Sequence, residues 1–195
     1  KIIQDITGRD AITVLDPTLL PEGEQWEELA SEPVIDEPYL LCYFITDARK
    51  YGKFVQMLEG KYGLPVVSLC GARRVVPQTR YKVLDAGPRE FLSLFRNASA
   101  VCTDSFHGTV FSINFKKEFY CFESPKKAEK AADSRLNNIL SRLGLLSCLY
   151  SSNIEPREFA DRISGTAGLI DYQQVDNKLR EERRLSVNFL KEALK

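Results

Sequence analysis

The chain has 195 residues, 44% hydrophobic and 28% charged, with 27 Lys and Arg set against 27 Asp and Glu. That makeup suits a soluble globular protein and excludes a disordered or fibrous one. A formal net charge of zero lacks the basic excess that grips nucleic acid or anionic lipid, so no nucleic-acid partner is expected. The longest apolar run, residues 39–45, falls far short of the roughly 20 that cross a bilayer, so no transmembrane segment is expected.

The chain opens at Lys1 without Met and without the charged-then-apolar start of a signal peptide, as though cut from something longer. Residues 11–20 read as a short strand, and Pro21 precedes an acidic helix that includes residues 26–30. Residues 38–45 form a continuous apolar, aromatic and branched run, as in a strand covered on both faces. Asp47 then caps a helix with Tyr51, Phe54, Val55 and Leu58 at helical spacing, stopping near Gly63. Residues 64–70 are the next buried strand, completing a βαβ unit that favours parallel pairing.

After a loop of about 15 residues the pattern repeats. Gly87-Pro88 opens a helix whose buried face is Phe91, Leu92, Leu94 and Phe95. Residues 99–103 are a short core strand, followed by Asp104-Ser105-Phe106-His107-Gly108 and an apolar stretch over 109–115. That stretch is a poor helix former and suits a strand almost as well. Residues 118–122 are a fourth strand, 126–133 a mobile polar loop, and Ser134 caps an amphipathic helix stopped at Gly144. Asp171 begins a long helix, residues 171–195, with Val175, Leu179, Leu185, Phe189 and Leu190 on one side. Alternating units of this kind predict one α/β domain over residues 1–195, a Rossmann-like mostly parallel sheet with flanking helices.

Five cysteines (42, 70, 102, 121 and 148) are scattered singly beside one histidine, which excludes a recognisable zinc site and leaves no metal expected. Set in apolar strings, they read as buried free thiols in a reducing compartment, so a cytoplasmic location is expected. Charge is poorly mixed. Residues 10–48 hold ten acids and no Lys or Arg, whereas residues 49–96 hold ten bases and three acids. Arg73, Arg74, Arg80 and Lys82 cluster just past a strand end, where an anion would be attracted.

The most informative string is Asp104 to Gly108. It follows a buried strand directly, and open α/β sheets bind ligands beyond the carboxyl ends of their strands. Thr103, Asp104 or Ser105 can cap the next helix, whose first amides, carrying partial positive charge, suit a phosphate. His107 adds a proton that exchanges near neutral pH, and Gly108 permits close approach of a ligand or another backbone. Arg135, at the start of its own helix, opposes the helix dipole, a placement explained by an anion between them.

These residues form part of a collinear set. Residues 14–20 (Val-Leu-Asp-Pro-Thr-Leu-Leu) precede Trp26, and Tyr39, Tyr43-Phe44, Gly87-Pro88, Phe91-Leu92 and Asn97-Ala98 follow. Residues 101–112, Arg135, residues 139–145, Asp171-Tyr172 and Phe189-Leu190 complete it. The set resembles the polysaccharide pyruvyl transferases over nearly the whole chain. Enzymes of that family are about twice this length, so the resemblance places these residues in the C-terminal lobe of a two-lobed, GT-B-like protein whose N-terminal lobe is a partner of the site.

The resemblance implies transfer of a carboxyvinyl-derived group from phosphoenolpyruvate to two hydroxyls of a glycan or lipid-linked sugar acceptor in surface or extracellular polysaccharide synthesis, forming a pyruvate ketal and releasing phosphate. No cofactor is implied beyond the donor. His107 is then the phosphate ligand or general acid, Ser105 and the backbone of Phe106 to Gly108 the phosphate cradle, and Asp104 the residue that fixes the turn. Arg135, with Arg73 or Arg74 as second choice, meets the donor's anionic groups, because a guanidinium fork matches carboxylate and phosphate oxygens. Two other readings are a nucleotide-sugar-binding lobe of a GT-B glycosyltransferase and a non-catalytic glycan-binding or assembly module in which Trp26 and Tyr39 stack on sugar.

Overall fold

A computed structural model describes residues 2–69, 74–123, 135–165 and 170–195. Its centre is a six-stranded, fully parallel sheet: β1 Leu40–Tyr43, β2 Val66–Leu69, β3 Thr79–Val83, β4 Ala100–Thr103, β5 Glu118–Glu123 and β6 Leu149–Ser151. The order across the sheet is β3-β2-β1-β4-β5-β6. The strand order therefore reverses between β1 and β4, the position at which doubly wound sheets open a crevice.

Side chains alternate across the four inner strands because successive residues of a strand point to opposite faces. Leu41, Val67, Val101, Phe119 and Cys121 join one core with α2 (Gly23–Leu29), α4 (Pro88–Asn97), α5 (Phe106–Asn114), α6 (Arg135–Leu143) and α8 (Tyr172–Ala193). Leu40, Cys42, Val66, Ala100, Cys102, Tyr120 and Phe122 join a second with α3 (Gly52–Tyr62) and α7 (Pro156–Gly165). The short α1 (Ile2–Thr7) lies outside both. Coverage on both faces is what the unbroken apolar runs of β1, β2 and β4 demand.

Several expectations are corrected. Residues 11–20 form no strand: Pro17 and Pro21 lack an N–H for a ladder, and the stretch is instead an irregular strap with a short 3-10 turn, Pro17–Leu19. The supposed long loop contains β3, whose Arg80 and Lys82 therefore lie within an edge strand, not beyond a strand end. Exposed charge on an edge strand discourages pairing with another chain. Asp47 caps a 3-10 turn, Ala48–Tyr51, that leads into α3. The predicted stops hold, with Gly63 and Gly144 at φ 64° and 78°, the left-handed region that glycine enters without strain.

The inner face of α8 is covered as far as Ser186 and open beyond it. Val175, Leu179 and Ser186 are buried, whereas Leu185, Phe189 and Leu190 are exposed, as is every residue from Asn188 onward. Tyr39 is buried, donating its hydroxyl to the Leu94 carbonyl at 2.8 Å, and Trp26 packs edge-on against Phe111. The Tyr39 ring therefore offers no sugar-stacking face, and Trp26 is partly buried. Residues 126–133, Ser134 and Cys70 lie outside the described residues.

Candidate functional site

The carboxyl ends of β1 and β4 are stitched together by side chains from the β4–α5 turn. Thr103 donates its hydroxyl to the Tyr43 carbonyl at 2.6 Å and accepts the Ser105 amide at 3.0 Å. Asp104, buried, accepts the amides of Ile45 at 2.6 Å and Thr46 at 3.2 Å, the Thr46 hydroxyl, and the Tyr51 hydroxyl at 3.1 Å. With both oxygens engaged in four contacts, Asp104 fixes the geometry of the switch point. Burial, reinforced by this carboxylate, pushes the Tyr51 phenol far above its ordinary range.

Helix α5 starts at that point. Ser105 is its N-cap, accepting the Gly108 amide at 3.2 Å, so of the predicted cradle the Gly108 amide and Ser105 Oγ already serve each other. The amides of Phe106 and His107 have no acceptor among the described residues, as expected for the first turn of a helix. Gly108 is buried, and its closeness serves packing: a Cβ there would lie 2.4 Å from Thr103 Oγ1 and 3.0 Å from Tyr43 Cδ1. The Gly-Thr-Val-Phe-Ser-Ile stretch is helical because all of it is buried and because Thr109 and Ser112 bond back to the carbonyls of Ser105 and Gly108. Tertiary context here overrides weak propensity.

His107 is exposed, with its ring edge-on to Phe106 at 5.6 Å between centroids. The Arg135 guanidinium lies over the same Phe106 ring at 4.6 Å, a stacking that orients its fork. Phe106 and Arg135 line a cavity of about 360 Å³ together with Asp16, Leu19, Asn138 and Arg142. His107 is not part of that wall but stands beside it.

Asp16 was not singled out by sequence reasoning, although residues 14–20 belong to the collinear set. Burial disfavours its charge, but bonds from the Thr18 hydroxyl and amide, with the nearby charges of His107 and Arg135, outweigh that and hold its carboxyl below the ordinary range. The strap that carries it is anchored by side chains. Ser186 accepts the Leu15 amide at 2.9 Å, Arg183 donates to the carbonyls of Leu19 and Pro21, and Trp26 and Asn114 both donate to the Thr18 carbonyl. The C-terminal helix thus places the N-terminal strap against α5. An ion pair between Arg142 and Glu182, with Nε to Oε1 at 3.0 Å, ties α6 to the same helix.

The other arginines expected from the sequence are not gathered here, whereas Arg142, not singled out, lines the cavity. Arg74 lies on the β2–β3 connection, separated from β4 by β1, and does not line this cavity; Arg73 lies outside the described residues. Among the described residues no three His, Cys, Asp or Glu side chains converge as metal ligands. No described helix is long and apolar enough to cross a membrane.

Comparison with known proteins bears on both fold and family. A UDP-forming α,α-trehalose-phosphate synthase from Burkholderia xenovorans superposes with a TM-score of 0.52 at 10% identity, covering 90% of this chain and 48% of that one. A UDP-GlcNAc 2-epimerase from Methanocaldococcus jannaschii gives 0.46 at 11% identity, covering 85% and 48%. The chain therefore spans about half the length of these structures, and the first likeness supports the Rossmann-like lobe architecture alone. No curated protein matches the sequence. The polysaccharide pyruvyl transferase family profile matches residues 3–125, which take in both the strap bearing Asp16 and the turn bearing His107, and by that match the chain belongs to the polysaccharide pyruvyl transferase family.

Proposed function

We propose that this lobe holds the donor site of an enzyme that moves a pyruvyl group from phosphoenolpyruvate to two hydroxyls of a glycan or lipid-linked sugar, forming a ketal and releasing phosphate. Family membership supports polysaccharide modification as the general activity. The observation that carries the finer reading is that, at the strand-order reversal, two unpaired amides and an exposed imidazole stand beside a cavity whose wall includes the Phe106 ring and the guanidinium stacked on it.

Each group has a task in that chemistry. The amides of Phe106 and His107, at the positive end of α5, receive phosphate oxygens. His107, protonated, binds the phosphate or delivers a proton to the methylene carbon, and Arg135 holds the donor's carboxylate or phosphate in a two-pronged contact. Ser105 and Gly108 shape the turn, and the acceptor is oriented in part by a second lobe. Buried free thiols at Cys42, Cys102, Cys121 and Cys148 suit a reducing, cytoplasmic compartment, where the donor is made.

The test is the full-length enzyme carrying His107→Ala. Phosphate release from phosphoenolpyruvate is expected to vanish while thermal unfolding stays at the wild-type temperature; release at the wild-type rate removes His107 from the mechanism. Thermal protection by a uridine diphosphate sugar and not by phosphoenolpyruvate would transfer the site to a nucleotide-sugar enzyme. Protection by neither would leave a glycan-binding or assembly module.

A further inference from the structure

We propose that Asp16 is a further catalytic residue, the base that takes the proton from the acceptor hydroxyl as it attacks the donor. The inference rests on the pyruvyl-transfer reading of the site and adds to it the group that meets the acceptor.

Four observations converge on this residue. Asp16 lines the cavity shared with Phe106 and Arg135. Only Oδ1 is used by the fold, accepting the Thr18 amide at 3.0 Å and its hydroxyl at 2.6 Å. Oδ2 has no hydrogen-bond partner among the described residues. Four side chains anchor the backbone of the strap, Ser186 at Leu15, Arg183 at Leu19, and Trp26 and Asn114 at the Thr18 carbonyl, so the position of the carboxylate is set by the fold. Capping the 3-10 turn requires a single oxygen and no charge, and asparagine would cap equally well. The half-buried negative charge and the free oxygen are left over from that structural duty.

The proton balance needs such a group. Proton transfer from the His107 imidazolium to the methylene carbon converts it to a methyl and leaves positive charge at C2. The first hydroxyl oxygen bonds to C2 and its O–H bond breaks, the proton passing to Asp16 Oδ2. Next the C2–O bond to phosphate breaks and the second hydroxyl oxygen bonds to C2, its proton restoring His107. The proton on Asp16 leaves with the phosphate, so two hydroxyl protons are lost, one ending in the methyl and one on phosphate. A hydroxyl attached to a cationic carbon is strongly acidic, so even a carboxylate kept ionised against burial, chiefly by its bonds from Thr18 and then by nearby positive charge, is basic enough to accept its proton.

The full-length enzyme is assayed for phosphate release with phosphoenolpyruvate and a panel of methyl hexopyranosides with free 4- and 6-hydroxyls, as wild type, Asp16→Asn and Asp16→Ala. Asp16→Asn is expected to fold, unfolding only slightly below the wild-type temperature at neutral pH because it lacks the charge that the fold favours, and to bind phosphoenolpyruvate as tightly or more tightly by calorimetry. Its kcat is expected to fall by about 10²-fold or more, within the span general-base catalysis supplies. Added formate is expected to restore part of the rate to Asp16→Ala, since a free carboxylate can occupy the vacated position; a purely structural role gives no such rescue. Asparagine turnover within about tenfold of wild type, absence of formate rescue, or loss of donor binding in step with turnover overturns the assignment of Asp16. A wild-type enzyme that neither binds nor consumes phosphoenolpyruvate overturns the pyruvyl-transfer reading itself.

Discussion

The carboxylate of Asp104 accepts the backbone amide of Ile45 at 2.6 Å, joining two strands that are 59 residues apart at their facing ends. Together with its bonds to Thr46 and Tyr51, this contact sets where α5 begins and so where the amides of Phe106 and His107 point. Asp104→Asn places an amide donor against two backbone donors and is expected to destabilise the protein by about 2–4 kcal/mol, the range for buried charged bonds left unmet. Urea unfolding of the variant checks this; a loss under about 0.5 kcal/mol, the scale of a neutral surface change, would contradict it.

Gly108 and Gly60 both lie in helices and should respond with opposite sign to alanine. At Gly108 the new Cβ meets Thr103 Oγ1 at 2.4 Å, while at Gly60, exposed in α3, it meets nothing within 4 Å. Gly108→Ala is expected to cost about 1–3 kcal/mol through overpacking. Gly60→Ala is expected to add about 0.5–1 kcal/mol through helix propensity. Midpoints of thermal or urea unfolding separate the two.

Ser186 lies in the C-terminal helix yet serves the other end of the chain, accepting the Leu15 amide while donating to the Glu182 carbonyl. Ser186→Ala strands a buried amide and is expected to cost about 1–3 kcal/mol. Hydrogen exchange should localise the change: the Leu15 amide loses protection while the amides of β1 and β4 keep theirs. Uniform loss of protection would mean that the strap is not a local unit.

The Asp16 carboxyl titrates below its ordinary value, first against the opposing effect of burial and then through Thr18, His107 and Arg135. A depressed native pKa stabilises the fold above the unfolded-state value near 3.8 and loses that contribution as pH falls through the native value. Wild type is therefore expected to lose stability on acidification below about pH 4 more steeply than Asp16→Asn. The difference between them should be flat from there toward neutral pH. Parallel acid-unfolding curves for the two proteins would contradict the assignment.

Burial raises the Cys121 thiol to about 12 and the Cys148 thiol to about 11, and Cys42 and Cys102 are fully enclosed. Because the thiolate is the reactive form, iodoacetamide at neutral pH is expected to label these four only at the rate of opening of the fold, rising together with denaturant. Fast labelling of any one in native buffer would place it at the surface.

The apolar runs at 38–45 and 64–70 and the short run at 99–103 were legible as core strands without a structure, because burial on both faces leaves no room for polar residues. Helix starts at Asp47, Pro88 and Asp171 and stops at Gly63 and Gly144 were equally legible, since caps act through bonds a few residues long. The edge strand β3 was not: half-exposed, with Arg80 and Lys82 outward, it carries the alternation of a surface loop as readily as that of a strand. The three-residue β6 is too short to show a period, and α7 buries only Phe159 and Ile163 among its described side chains, too few to mark a face in the sequence.

The sequence by itself marked residues 105–108 as a strand-to-helix turn and Arg135 as lying at a helix start, because such junctions are legible locally. It also determined the parallel sheet, through the alternation of β and α units. Only the tertiary structure decided that the 109–115 stretch is a helix, that Gly108 serves packing, and that Asp16 shares a cavity with Arg135. Those outcomes depend on contacts between residues far apart in the chain, such as Leu15 with Ser186, and the energy of burying one segment against another is absent from either segment alone.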